Sequence, residues 1–346
     1  MDSTQESFKI LQSQLSARGQ LRSTTEAAIY CLLIFIGIIG NSMVLNIVFK
    51  KRNTRKVLLL CIGALALVDV LMLTLGCWQI VVTLAFGTWQ LGDFICQLEG
   101  FCVFGFCCLS ILLLTITAIN RSFQVVDTKF YGSIFTVKRT QLFILLAYVL
   151  GILNPIQYLA FGERYTFHPG KCFCFQENKV SPSAMFYLVG YIALPIPVIT
   201  VCYFRIFRTI RRHKIRVTFL RQSNNSVAGP NVEDIKATRT LFLTLMGFLC
   251  CWTPVLIIDI IDLIRGFSLQ HREIYVAYTF LGTLSSCINP FIYGVMNSMF
   301  RGEYKKILRM ICFVWNTEEE SISRVRSVIT NNGWVRERVL VIEIQN

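Results

Sequence analysis

The chain has 346 residues, of which 54% are hydrophobic and only 16% charged, with a formal net charge of +14. Soluble globular chains carry about 25% charged residues, so the polar surface is too small to cover two water-exposed domains. Tracts of about twenty residues without Asp, Glu, Lys or Arg recur along the chain, as spans of a bilayer require. That excludes a disordered tail protein, a disulfide-stapled secreted domain and a typical cytosolic enzyme.

In chain order, Met1–Glu26 is polar and lacks an apolar core, which predicts an arm outside the bilayer and leaves targeting to the first span. Seven stretches are long enough to cross: Ala27–Phe49, Val57–Gly92 (broken only by Asp69), Gly100–Asn120, Thr140–Gly162, Val180–Phe204, Thr240–Ile258 and Ile274–Phe300. Helices satisfy their own backbone in lipid, and no run of short alternating segments suggests a β-barrel. The expected fold is an all-α membrane protein, a seven-transmembrane-helix bundle over 27–299. The longest connection, Arg205–Arg239, holds Asn224, Asn225, Gly229 and Pro230, which mark a loop between two charged helical extensions. Over 300–312, Phe300, Tyr304, Ile307, Leu308 and Ile311 recur opposite Lys305, Lys306 and Arg309, the pattern of an amphipathic helix on the membrane surface. Cys312 at its end is a palmitoylation candidate. The tail, 313–346, offers Ser321, Ser323, Ser327 and Thr330 for phosphorylation.

Most of the 34 Lys and Arg fall in the first, third and fifth loops and the tail. The positive-inside rule then places the N-terminus outside and the C-terminus in the cytoplasm. Because these basic residues interrupt spans and form no single patch, nucleic acid is not an expected partner; anionic lipid is. Of 14 cysteines most lie inside spans, and three, Cys96, Cys172 and Cys174, lie at the outer, oxidising edge. Cys96 is expected to bridge Cys174 or Cys172, with Cys174 preferred. The connectivity stays open at this level.

Several polar residues sit where hydrocarbon penalises them. Asp69 at mid-span costs about 2.5–3.5 kcal/mol on insertion scales unless it faces the interior with partners. Asn41, Ser110, Ser286 and Asn289 in other spans are the candidates, forming a hydrated cluster able to hold a monovalent cation such as sodium; a protonated Asp in a hydrogen-bond network is the alternative. Arg121 closes the third span and could simply reach the interface. Pro155, Pro195, Pro254 and Pro290 fall in spans four to seven and favour kinks, and Trp252 stands two residues before Pro254. His168, His213 and His271 are read as loop residues, so the spans hold no catalytic or metal cluster and no enzyme is expected.

These residues resemble the rhodopsin-like (class A) G-protein-coupled receptors over about residues 27–312. The marks run in order: Gly40-Asn41 in the first span, Leu65 to Asp69 in the second, Trp89 and Gly92 before Cys96, and Asn120-Arg121-Ser122 ending the third. Pro195 with Tyr203 follows in the fifth, Cys251-Trp252-Thr253-Pro254 in the sixth, and Asn289-Pro290 with Tyr293 in the seventh. The resemblance implies an orphan receptor of the plasma membrane. A ligand between spans three, five, six and seven shifts an inactive–active equilibrium, the sixth helix swings at Pro254, and a heterotrimeric G protein docks inside. Arrestin and a kinase would act on the tail. Arg121 would meet the G protein or Tyr203, and Tyr293 would rearrange with it.

Two departures qualify this. The family's Asp-Arg-Tyr reads Asn120-Arg121-Ser122, a change shared in part with melatonin receptors, so the resting state is expected to lean on Asp234; Asp234→Ala should raise basal signalling. The opsin-like run from Cys96 to Phe101 places Glu99 at the counterion position, but the retinal-binding lysine is replaced by Thr283, so covalent retinal is not expected and no other cofactor is implied. The amine-pairing acid of aminergic receptors is Val103. The ligand wall is expected to be Val103, Phe106, Tyr187, Tyr191, Trp252, Tyr275, Thr279 and Thr283, with Glu99, Asp259 and Asp262 as acids at the mouth. This suits a small amphipathic molecule or a basic peptide. The competing readings are an opsin-like protein binding retinal without a bond, a constitutively active relative, and a transporter, which would require repeats or paired intramembrane charges that the chain lacks.

Overall fold

The computed structural model describes residues 3–51, 57–176, 186–220, 232–266 and 268–310. Seven long helices form the bundle: Gln20–Lys50, Val57–Phe86, Gly92–Val125, Val137–Ala160, Leu188–Leu220, Val232–Arg265 and Arg272–Met296. Six are apolar and long enough to cross a membrane. The seventh is less apolar because its buried stripe carries Thr279, Thr283, Ser286 and Asn289 at helical spacing. Leu32, Phe35, Leu145, Val149, Phe204 and Val295 point outward and exposed, the belt that lipid would cover.

Most helices overrun the expected spans. The first begins at Gln20, where Ala27 was the expected start, and the sixth runs Val232–Arg265, well past Thr240–Ile258. A hydropathy limit marks hydrocarbon, and the backbone continues as helix into water wherever no breaker intervenes. The second span stops short of Gly92 because Gly87 adopts φ +74°, donating to Thr83 O over 2.9 Å and capping the helix. The seventh ends at Met296, short of Phe300, where Asn297 turns to extended backbone. A separate helix follows over 298–310, with Phe300 and Tyr304 packed edge to face at 6.2 Å. His213 lies on the helical extension of the fifth span, where a loop was expected. Val180, the loop residues Asn224, Asn225, Gly229 and Pro230, the side chain of Asp234, Ile311, Cys312 and the tail fall outside the described residues.

Two wide turns disturb the α-ladder. One is π-helical over Leu188–Ala193, directly before Pro195, whose missing N–H is accommodated there. The other, Met72–Gly76, contains no proline and had no sequence signal. At the bridged end, β1 (Thr166–His168) pairs antiparallel with β2 (Phe173–Phe175), Phe167 opposite Cys174. The bridge is Cys96–Cys174. Cys172 stays free because it sits in the hairpin turn with φ 60°, its N–H donating to His168 O over 2.9 Å.

The expected polar arm is itself a folded element. Ser3–Ser16 is a helix that buries Ser7, Leu11 and Leu15. Phe8 meets the His168 ring at 5.0 Å, and Gln14 donates to Gln270 O while accepting from Arg272 N. Beyond it, Glu26 gathers Arg18 (2.7 Å), Arg22 (2.9 Å) and the buried Arg272. Arg18 also donates to Leu84 O, tying the arm to the second span.

Candidate functional site

A cavity of about 260 Å³ opens beneath the hairpin, between the third, fifth, sixth and seventh spans, with Met72, Gly76, Cys77 and Ile80 of the second span also on its wall. Its wall includes Val103, Tyr187, Tyr191, Trp252, Thr279 and Thr283, with Phe173 and Phe175 of β2 above. Asp259 is the acid that reaches it. The remaining surface is mostly aliphatic and aromatic, which suits a ligand with an apolar body. Thr283 turns its hydroxyl to Thr279 O over 3.0 Å.

Four residues expected on this wall are elsewhere. Glu99 is fully buried and accepts from Cys174 N–H over 2.9 Å, so it fastens β2 to the third span. Asp262 is also buried, accepting from Tyr275 Oη at 2.6 Å and from Leu269 N at 3.2 Å. Tyr275 thus belongs to the roof, beside His168 at 4.9 Å. Phe106 faces a second, smaller space. The helix-face spacing of Asp259 and Asp262 placed both at the mouth, but their partners separate them.

That second space, about 10 Å³, is lined by Asp69, Ser110, Ser286, Asn289, Phe106 and Trp252. Asn289 Nδ2 donates to Asp69 Oδ2 at 2.8 Å. Asn41 stands apart, donating to Ser286 O at 2.8 Å and so joining the first span to the seventh. Ser286 also hydrogen-bonds the Asp69 carboxyl, and with the Ser110 hydroxyl they form an all-oxygen set on a volume near that of one water. Trp252 walls both spaces, stacked on Phe248 at 5.7 Å, and its Nε1–H finds no partner among the described residues.

At the opposite end of the third span Arg121 is buried. Asn120 Oδ1 accepts from its Nη2 at 2.7 Å and from its Nε at 3.2 Å. The amide therefore holds the guanidinium through hydrogen bonds charged on the donor side only, where a carboxylate would add the opposite charge. Tyr203 packs against Phe242 at 5.3 Å, and Tyr293 is buried in the seventh helix.

The family described as 7 transmembrane receptor (rhodopsin family) matches residues 40–293. The chain belongs to the rhodopsin family of G-protein-coupled receptors. Its members are receptors, not enzymes. Among curated relatives, melatonin receptor type 1A-A of Danio rerio is 28% identical over 322 residues, covering 88% of this chain and 90% of its own length. Melatonin receptor type 1A of Gallus gallus is 27% identical over 327 residues, 91% of each chain. Type 1C of the same species is 27% identical over 289 residues, 82% of each.

Sequence reasoning missed three residues of this receptor's bridged end. Lys171 is fully buried against Asp259, Arg272 against Glu26, and His168 between Phe8 and Tyr275. Lys171 lies in the hairpin turn, His168 ends β1 and Arg272 opens the seventh helix, so none belongs to a periodic apolar run that would mark its partner. The helical spacing of Phe8, Leu11 and Leu15 is the signal that would have marked the N-terminal helix, in a segment read as a polar arm.

Proposed function

We propose that the receptor spans the plasma membrane with its bridged end outside, binds a small amphipathic molecule in the 260 Å³ cavity and couples to a heterotrimeric G protein around Arg121. Arrestin and a kinase would act on the cytoplasmic tail. The basic loops support the orientation. One observation carries the reading: Trp252 lines both the cavity and the Asp69 space. A ligand pressing on that ring can shift the sixth helix about Pro254, two residues on, a two-state element biased by differential contacts.

The Asp69 space fits a bound sodium ion, a hard cation that takes oxygen donors. Asp69, Ser110 and Ser286 would hold it, and Asn289 would position the carboxylate. An ion there supplies positive charge to a buried acid. The residues' own work is to keep that acid hydrogen-bonded and facing the interior.

The test is to fill the cavity. Thr283→Trp should abolish responses to any amphipathic agonist found by screening while leaving surface expression unchanged. An undiminished response in that variant would remove the ligand from this cavity.

A further inference from the structure

Lys171 lies in the turn of the hairpin, yet its side chain is wholly buried. Its Nζ donates to Asp259 Oδ1 at 2.8 Å and lies 3.2 Å from the centroid of the Phe175 ring and 4.5 Å from that of Tyr278. Tyr278 Oη donates to the other carboxylate oxygen at 3.0 Å, so Asp259 is fixed from two sides. The lysine backbone is pinned as well: its carbonyl accepts from Thr279 Oγ1 at 2.8 Å, and its N–H donates to His168 Nδ1 at 3.2 Å.

Burying an ammonium costs several kcal/mol unless a counter-charge and further contacts replace its water. A carboxylate together with aromatic faces does so, and this is the chemistry by which proteins recognise alkyl- and quaternary ammonium groups. The cage opens onto the cavity, since Phe175, Tyr278 and Asp259 are all part of its lining. Asp259 keeps 29% of its side chain exposed, whereas Lys171 keeps none. Below the cage the wall is apolar: Val103, Leu249 and Trp252.

We propose that Asp259, Phe175 and Tyr278 form a cation-recognition subsite, that Lys171 is its resident occupant, and that the receptor's ligand class is an organic cation with an apolar body that displaces this lysine. The inference rests on the cavity reading above and adds the ligand's charge to it. It also explains how an acid reaches an apolar cavity without an amine-pairing acid in the third span, where Val103 stands. An acidic ligand pairing with Lys171 is the competing outcome, disfavoured because Asp259 lines the cavity while the lysine is wholly buried behind it.

The experiment is chemical rescue on the full chain. Lys171→Ala, purified in lipid nanodiscs, should melt below the wild type, and n-hexylammonium should raise its melting temperature saturably. Hexan-1-ol and hexanoate should not. The wild type, with the cage filled, should need more hexylammonium for the same shift, as intramolecular competition requires. The double variant Lys171→Ala/Asp259→Asn should lose the response. If Lys171→Ala does not accumulate, recovery of surface expression by hexylammonium but not hexan-1-ol supports the proposal equally. Equal effects of the ammonium and the alcohol, stabilisation of the wild type by hexanoate, or no effect by either readout would overturn it. Because these readouts are binding and folding alone, a receptor that fails to activate any G protein while showing the rescue would refute the coupling reading and leave this subsite standing.

Discussion

His168 shows how a single residue at the bridged end sets a pH dependence. Lys171 N–H donates to its Nδ1, so the proton of the neutral ring is on Nε2, 2.9 Å from Ser268 Oγ. Burial, with Lys171 adding to it, holds the imidazole well below its ordinary value of 6.5. The unfolded chain therefore takes up a proton below about 6.5 that the folded site refuses, and stability, complete above that pH, falls as the pH drops beneath it. Melting temperature between pH 7.5 and 5 should fall more steeply for the wild type than for His168→Gln; parallel curves would show that His168 does not titrate on unfolding. Asp69 offers a second test at this scale. Replacing potassium by sodium at constant ionic strength should raise the melting temperature of the wild type and leave Asp69→Asn unmoved. An equal shift in both would place any sodium effect elsewhere.

At the scale of elements, the bridged end is a stack in which the N-terminal helix, the hairpin and the third span each depend on the next. Gly100 makes the closest approach: a Cβ there would lie 2.2 Å from Tyr165 Cγ, a ring that also stacks on Phe104 at 5.6 Å. Gly100→Ala should therefore sharply lower surface expression, and normal expression would mean that the hairpin can shift away. The N-terminal helix contributes through Leu11 and Leu15, both fully buried. Leu15→Ala should cost about 2–5 kcal/mol of local stability and expose the first seventeen residues to limited proteolysis. Unchanged protection would contradict that packing.

The seven spans were legible in the sequence because crossing hydrocarbon demands long uncharged runs, which composition displays directly. Helix ends were less legible, since Gln20 and Val232 continue helices through water where hydropathy no longer speaks. The acids of the cavity were legible as residues but not in their roles. Asp259, Asp262 and Glu99 differ only by partners far along the chain, Lys171, Tyr275 and Cys174 respectively. The π-turn at Met72–Gly76 left no trace, having neither proline nor a glycine until its final residue.

The whole molecule joins two ends of one bundle, the cavity lined by Trp252 and the buried Arg121, which donates to Asn120. Asn120 gives the guanidinium hydrogen bonds without the second full charge that a carboxylate would add. The direct measurement is activation of a panel of heterotrimeric G proteins by the intact chain and by Arg121→Ala, without ligand and at matched surface expression. The account predicts basal activation of at least one G protein by the intact chain and its loss in the variant. Basal activation that survives Arg121→Ala would contradict it, because the transducer would then engage this receptor without the residue on which the coupling end is built.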